Sequence, residues 1–180
     1  MVELSAQQQF ETNPDGVQAY QAYFGTPTYD DRLWFVLLTV GVFQVGLSWQ
    51  AAASKLPVYR AVFAGMSIEE VAQFDEADVE RLQQDERLIR NPRKIRAVIQ
   101  NARAILAIQA TGISFSEFLW DFVGGQPQLL LMSDSGVTER SAPISTQLAK
   151  ALKKRGFKFV GPVVTHMMML AGGLLQVADD

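Results

Sequence analysis

The stretch Lys150–Pro162, KALKKRGFKFVGP, decides how this chain is read. Five cations (Lys150, Lys153, Lys154, Arg155, Lys158) surround a glycine, Gly156. A Phe-Lys-Phe-Val-Gly turn then leads through Pro162 into an apolar segment. Helical spacing ahead of Gly156 and a proline opening the next segment predict helix, turn, helix. Backbone N–H groups at a helix start attract anions, and lysines extend that attraction. The unit from Ser145 to Gly173 is therefore expected to be a helix-hairpin-helix suited to a phosphate backbone.

Composition narrows the setting. The chain has 180 residues, 48% of them hydrophobic, enough for one well-packed domain over residues 1–180. Its formal charge of −3 excludes a global attraction to polyanions. The charge is unevenly spread. Residues 1–80 hold three cations (Arg32, Lys55, Arg60) against eleven acids, while residues 81–180 hold thirteen cations against eight acids. One part is thus acidic and the other basic, and the basic part is able to dock a polyanion. Two ordinary solvated faces are the alternative.

No cysteine is present, which excludes disulfides, thiolate zinc sites and a cysteine nucleophile. The one histidine, His166, has no second histidine to form a metal site. Neither a metal nor a cofactor is expected. The start of the chain, MVELSAQQQFETNPDG, lacks a cationic opening and an apolar run, so it does not resemble a signal peptide. The longest apolar stretches, Trp34–Trp49 and Phe159–Val177, are interrupted by glycine and polar residues. They read as core helices rather than membrane spans. A soluble, cytoplasmic, monomeric protein associated with the nucleoid is expected.

The periodicities are helical almost throughout. Asp30 and Asp31 open a long helix, DDRLWFVLLTVGVFQ, that is apolar on nearly every side and belongs in the middle of the protein. Gly46-Leu47-Ser48 interrupts it, and Trp49 to Phe63 resumes, with a kink expected at Pro57. Ser67 to Glu70 and Ser114 to Glu117 have the pattern of capping boxes, and Asn91-Pro92 launches a long amphipathic helix. Residues 126–144 read as a surface loop. Ser145 or Thr146 is expected to cap the helix before Gly156. No strand pattern stands out. The fold class is all-α, with about eight helices.

Four segments sharpen this reading: GLSW at 46–49, DVERLQQDERLIRNPRKIRAVIQNAR at 78–103, FLWDFVGGQP at 118–127 and QLAKALKKRGFKFVG at 147–161. In this order and spacing the chain resembles the DNA-3-methyladenine glycosylase I family, over roughly residues 27–175. The resemblance implies a helix-hairpin-helix glycosylase, with two helical lobes around a cleft. Double-stranded DNA would lie across the mouth, and a damaged nucleotide would turn out into a pocket.

What the resemblance assigns can be stated residue by residue. Gly46, Leu47 and Ser48 would form the DNA wedge, Leu47 filling the gap left by the flipped nucleotide. An ordinary buried leucine is the alternative. Trp49 would stack on the base, the alternative being a core tryptophan. Gln44 matches a polar position beside the pocket. Lys153, Lys154, Arg155, Gly156, Lys158 and Gly161 would bind phosphate through backbone amides and cationic side chains. Arg90, Arg93, Lys94 and Arg96 lie in a second matching segment and read equally as solvated surface.

The departures fall on functional positions. Tyr20 stands where the family has histidine, Phe24 where it has tryptophan, and Ala19 where it has tyrosine. The family's cysteine and histidine zinc ligands are all absent, so Phe10, Tyr20 and Phe24 are expected to tie the termini by packing. The pocket glutamate of the family is matched by Gly41. Tyr20, Phe24, Gly41, Gln44 and Trp49 make up the expected base pocket, with no catalytic residue assigned.

Three functions remain open on sequence: a glycosylase for 3-methyladenine or another labile alkylated purine, a non-catalytic DNA-damage-binding module, and a descendant that keeps only the fold.

Overall fold

The computed structural model describes residues 2–178. Two short helices, α1 (Ala6–Thr12) and α2 (Gly16–Tyr23), precede the central helix α3 (Asp31–Gln44). The chain then forms α4 (Trp49–Ala53), α5 (Leu56–Val62), a 3-10 turn (Ala64–Met66), α6 (Ile68–Ala72), α7 (Glu76–Gln83), α8 (Pro92–Gln109) and α9 (Phe115–Asp121). A strand β1 (Gln128–Leu131) leads to α10 (Pro143–Lys154) and α11 (Pro162–Ala171), and β2 (Leu175–Ala178) closes the described chain.

The reason α3 lies in the centre is visible in its sequence. Every residue from Leu33 to Phe43 is buried, and a helix without a polar face must be covered on all sides. Its coverings are α4, α8, α9 and α11. The amphipathic α8 brings α6 and α7 with it on one side, and the hairpin pair α10–α11 packs on the other. Asp31 fixes this arrangement. Its carboxylate accepts from the N–H groups of Phe115 and Ser116 at 3.0 and 2.8 Å and from the Gln109 amide at 2.8 Å. One charged side chain thus holds the start of α9 and the end of α8 against the start of α3.

Caps follow the sequence closely in several places. Asp30 accepts from the Leu33 N–H, Asn91 from Lys94, and Ser114 from Glu117. Pro92 occupies the first turn of α8. The segment Trp49–Phe63 divides into two helices at Ser54-Lys55, so the break comes just before Pro57, which sits in the first turn of α5.

Three expectations are corrected. Eleven helices are formed among the described residues rather than about eight, because Trp49–Phe63 is split in two and the start of the chain forms a helix, α1, of its own. Residues 126–144 are not all loop. Gln128–Leu131 pairs in parallel with Leu175–Ala178, register Gln128 to Leu175, so the fold is mainly helical with one small sheet. Neither Ser145 nor Thr146 caps α10, which begins at Pro143 after Ala142.

The sheet and a neighbouring lock hold the end of the described chain. The N–H groups of Gly25 and Thr28 donate to the carbonyls of Ala171 and Gly172 at 2.9 and 3.0 Å. Gly172 is required here, since a Cβ would fall 2.1 Å from the Trp34 ring. Phe10 is buried with its ring 4.8 Å from that of Tyr23, a contact within the N-terminal helices. Phe24 is 39% exposed and serves a different place. The chain lacks cysteine, and among the described residues no three metal-binding side chains converge.

Ser145 has another partner. Its hydroxyl lies 2.6 Å from His166 Nδ1, and His166 Nε2 is buried without a partner. Burial pushes the His166 pKa down from its ordinary value. An unfolded imidazole takes up a proton near pH 6.5, whereas the folded one resists until lower pH. The unfolded state therefore binds more protons over that interval, and stability falls as pH drops below about 6.5. The Tm lost between pH 7.5 and 5.5 should be smaller in His166→Gln than in the unaltered protein. An equal loss would remove His166 as the cause.

Candidate nucleic-acid interface and base pocket

The turn between α3 and α4 presents Gly46, Leu47 and Ser48, the residues expected to form a wedge. Gly46 has a φ of 78°, a left-handed conformation that favours glycine, and nothing crowds it. Leu47 follows with 44% of its surface exposed. An ordinary core leucine would be buried, so this one is displayed. The Ser48 hydroxyl accepts from the Ala51 N–H at 3.1 Å and starts α4. Trp49 is the first residue of that helix, half-buried.

Sequence reasoning missed what holds this turn. Lys94 is 5% exposed, although its segment is rich in surface cations. Its ammonium donates to the carbonyls of Phe43 and Val45. These are orphan acceptors at the end of α3, and a cation there also complements the helix dipole. Burial lowers the Lys94 pKa. The signal was faint: a lysine directly after Asn-Pro-Arg, on a helix whose apolar stripe starts at Ile95. Lys94→Met should cost about 1–3 kcal/mol in denaturant unfolding, the range for stranding a buried hydrogen-bonding group. Unfolding identical to the unaltered protein would show the contacts to be idle.

Beside the wedge, Tyr20, Gln21, Phe24, Trp49 and Met167 line a cavity of about 310 Å³. The rings of Tyr20 and Trp49 are 5.8 Å apart, and Phe24 meets Tyr20 edge-on at 5.6 Å. Burial raises the Tyr20 pKa far above its ordinary value, so its hydroxyl stays neutral. The cavity has the flat aromatic walls that a purine stacks on.

Gly41 and Gln44 line a second cavity of about 320 Å³, together with Gly46, Leu47, Arg140, Val164 and Met167. Met167 is common to both. The five expected pocket residues are therefore divided between two adjoining spaces. At Gly41 a Cβ would lie 3.2 Å from a Val164 methyl, so valine occupies the room that a longer side chain would need. Gln44 Oε1 is buried with no partner. No carboxylate lines either space.

The hairpin stands on α8. Asn101 accepts from the Lys158 N–H at 2.7 Å and donates to the Lys158 carbonyl at 3.2 Å. Gln100 donates to the Gly156 carbonyl at 3.1 Å. Phe157 is buried and stacks on Phe115 at 5.3 Å. Asn101 and Gln100 were passed over in the sequence because their partners lie more than fifty positions away.

This anchoring corrects one expectation about the turn. The N–H groups of Arg155, Gly156 and Phe157 are spent on the end of α10, and that of Lys158 on Asn101. The amides of Phe159, Val160 and Gly161 have no acceptor among the described residues and are the ones left for an anion. Phe159 adopts a φ of 59°, rare for a residue with a side chain. Gly161 is the N-cap of α11. Lys153, Lys154, Arg155 and Lys158 are all exposed, with Arg155 over the Phe118 ring and Arg93 over the Phe159 ring.

A wide groove of about 730 Å³ continues from Lys158 along α8. Its other cations are mostly committed. Arg96 forms a two-pronged pair with Glu76 at 2.9 and 3.0 Å, and Arg103 donates to the carbonyls of Ala72 and Phe74.

A displayed leucine, an aromatic cavity and a cationic hairpin are thus present in one chain, and a family profile described as methyladenine glycosylase matches residues 9–179. The chain belongs to this family. It is 41% identical over 153 residues to DNA-3-methyladenine glycosylase 1 of Escherichia coli K12, covering 85% of this chain and 82% of the relative. It is 33% identical over 153 residues to DNA-3-methyladenine glycosylase of Haemophilus influenzae, covering 85% and 83%. Among solved structures it is similar to a crystal structure of 3-methyladenine DNA glycosylase I, with a TM-score of 0.80 and 43% identity over 87% of this chain and 88% of that one. A Staphylococcus aureus 3-methyladenine DNA glycosylase I gives a TM-score of 0.79 and 32% identity over 97% and 88%. In this methyladenine glycosylase, the aromatic cavity adjoins a second space that Gly41 lines without a side chain.

Proposed function

We propose that this chain is a base-excision DNA glycosylase that hydrolyses the N-glycosidic bond of 3-methyladenine, or a similar alkylated purine, turned out of duplex DNA in the cell interior. Family membership supports the reading. The observation that carries it at the level of this chain is the cavity between Tyr20 and Trp49, opening beside an exposed Leu47.

The chemistry suits such a site. A methylated purine is cationic while still joined to the sugar and leaves as a neutral base, so its bond needs little help from a general acid. The protein's part is to hold the base against Trp49, keep Leu47 in the stack and admit water. Stacking contributes about 1–3 kcal/mol per base. The hairpin amides from Phe159 to Gly161 and the lysines around them hold the phosphate backbone. The described chain acts as one unit, since a single apolar cluster runs from Phe10 to Leu175.

One observation favours the second reading, a damage-binding module without turnover. Gly41 has no side chain to offer a base, and a Val164 methyl would lie 3.2 Å from any Cβ there. The test is release of free base from methylated duplex DNA. Release of 3-methyladenine establishes the glycosylase. Salt-dependent binding to an abasic duplex with no release establishes the module.

A further inference from the structure

The cavity beside the wedge holds a cation that neither the base pocket nor the hairpin uses. Arg140 lines it, together with Gly46 and Leu47 from the wedge turn and Val163 from the first turn of α11. We propose that Arg140 binds a DNA phosphate flanking the flipped nucleotide, and does so once Leu47 has entered the duplex. This rests on the glycosylase reading above.

The segment that carries Arg140 is built to present it. The Thr138 hydroxyl accepts from the N–H groups of both Arg140 and Ser141, at 3.1 and 3.0 Å, and the Thr138 N–H donates to the Ser141 carbonyl at 2.8 Å. Val137 is buried beneath this turn. The backbone is therefore fixed while the Arg140 side chain stays exposed.

Arg140 also differs from the arginines that are already satisfied. Arg32, Arg81, Arg87 and Arg96 have carboxylate partners, whereas Arg140 has none among the described residues. Glu139, its neighbour in the turn, forms no ion pair with it. An exposed guanidinium with free donors forms a fork that fits phosphate oxygens two at a time. A wedge that enters between base steps brings the phosphates of that step to its own rim. Arg140 is the cation on that rim, because it shares the cavity with Gly46 and Leu47.

The contact predicts a defined salt dependence. Each phosphate neutralised adds about 0.9 to the slope of log affinity against log salt. On a duplex with an abasic analogue, Arg140→Ala should lower affinity about tenfold and flatten the slope by about 0.9. On undamaged duplex, where the wedge is not seated, the loss should be smaller. Arg140→Lys should restore the slope, since it keeps the charge. Binding of free 3-methyladenine and the Tm should not change.

The outcomes separate this inference from the reading beneath it. An unchanged slope and affinity in Arg140→Ala, while charge reversal at Lys153 and Lys154 still weakens binding, overturns the Arg140 contact alone. Equal losses on abasic and undamaged duplex overturn its link to the wedge. Failure of the unaltered protein to bind either duplex removes both.

Discussion

With Lys153→Glu and Lys154→Glu introduced together, affinity for duplex DNA falls by about a hundredfold or more. Both side chains are exposed in the last turn of α10 and support no packing contact, so the double variant stays folded, with stability lowered only by the roughly 0.3–1 kcal/mol that each acid costs against the helix dipole. Each charge-assisted contact contributes about 1.5–3 kcal/mol, so two removed contacts account for the loss before repulsion is added. The salt slope should flatten by about 1.8, two phosphates at about 0.9 each. Titration of a labelled duplex at several salt concentrations measures both. Unchanged affinity would place the duplex elsewhere and leave the hairpin as a structural turn, with its lysines serving only the α10 dipole.

The second large effect is a gain. Gly41→Glu alone should destabilise the protein and bind no additional base, because its Cβ would press on the Val164 methyl 3.2 Å away. Gly41→Glu with Val164→Ala removes that obstacle. A carboxylate on α3 would then face the space shared through Met167. A hydrogen bond to a charged group contributes about 1.5–3 kcal/mol, so affinity for 3-methyladenine should rise roughly 10- to 100-fold. Protonated 3-methyladenine offers a cation that neutral adenine lacks, so its gain should exceed that of adenine as pH falls. Quenching of Trp49 fluorescence by the two bases reports both affinities. Equal gains for both would show that the space, and not the charge, had limited binding.

These variants address the space beside the aromatic cavity, where Gly41 has no side chain. Trp49, Tyr20 and Phe24 stand around one cavity. The adjoining space is poor in charge: Gly41 contributes no side chain, a Val164 methyl limits the room at its Cβ position, and Gln44 offers a neutral amide oxygen with no partner among the described residues. Such a pocket recognises a base through shape and stacking more than through charge. Stacking is sequence-tolerant because every base has a π-face. Broader base selectivity is the expected consequence.

How much of this was legible in the sequence depends on the range of the interactions. The helices α3 and α8 were plain, because their periodicity and their caps at Asp30 and Asn91 are local. The hairpin was plain for the same reason. The strands were hidden. Gln128–Leu131 is four residues long, has no alternating pattern and pairs with residues 47 positions away. Ser145 carried a local cap signal that lost to a tertiary hydrogen bond with His166. Lys94 sat among surface arginines and was read with them. Only the packing of α8 across the end of α3 shows that it holds the wedge. Leu47 illustrates the converse. The sequence left it between core and wedge, and its exposure decides against the core. Arg140 lay in a segment read as plain loop, and nothing local marks a cation that will meet Gly46 from about ninety positions away.

The most direct measurement is single-turnover release of 3-methyladenine from methylated duplex DNA by the unaltered protein and by Trp49→Ala. Stacking worth about 1–3 kcal/mol predicts a rate roughly 5- to 150-fold lower in the variant. Circular dichroism and duplex affinity should match the unaltered protein, because Trp49 is only half-buried at the cavity edge. Clear release by the unaltered protein with that drop is the predicted result. Release at the same rate by both proteins, or by neither, would contradict the account.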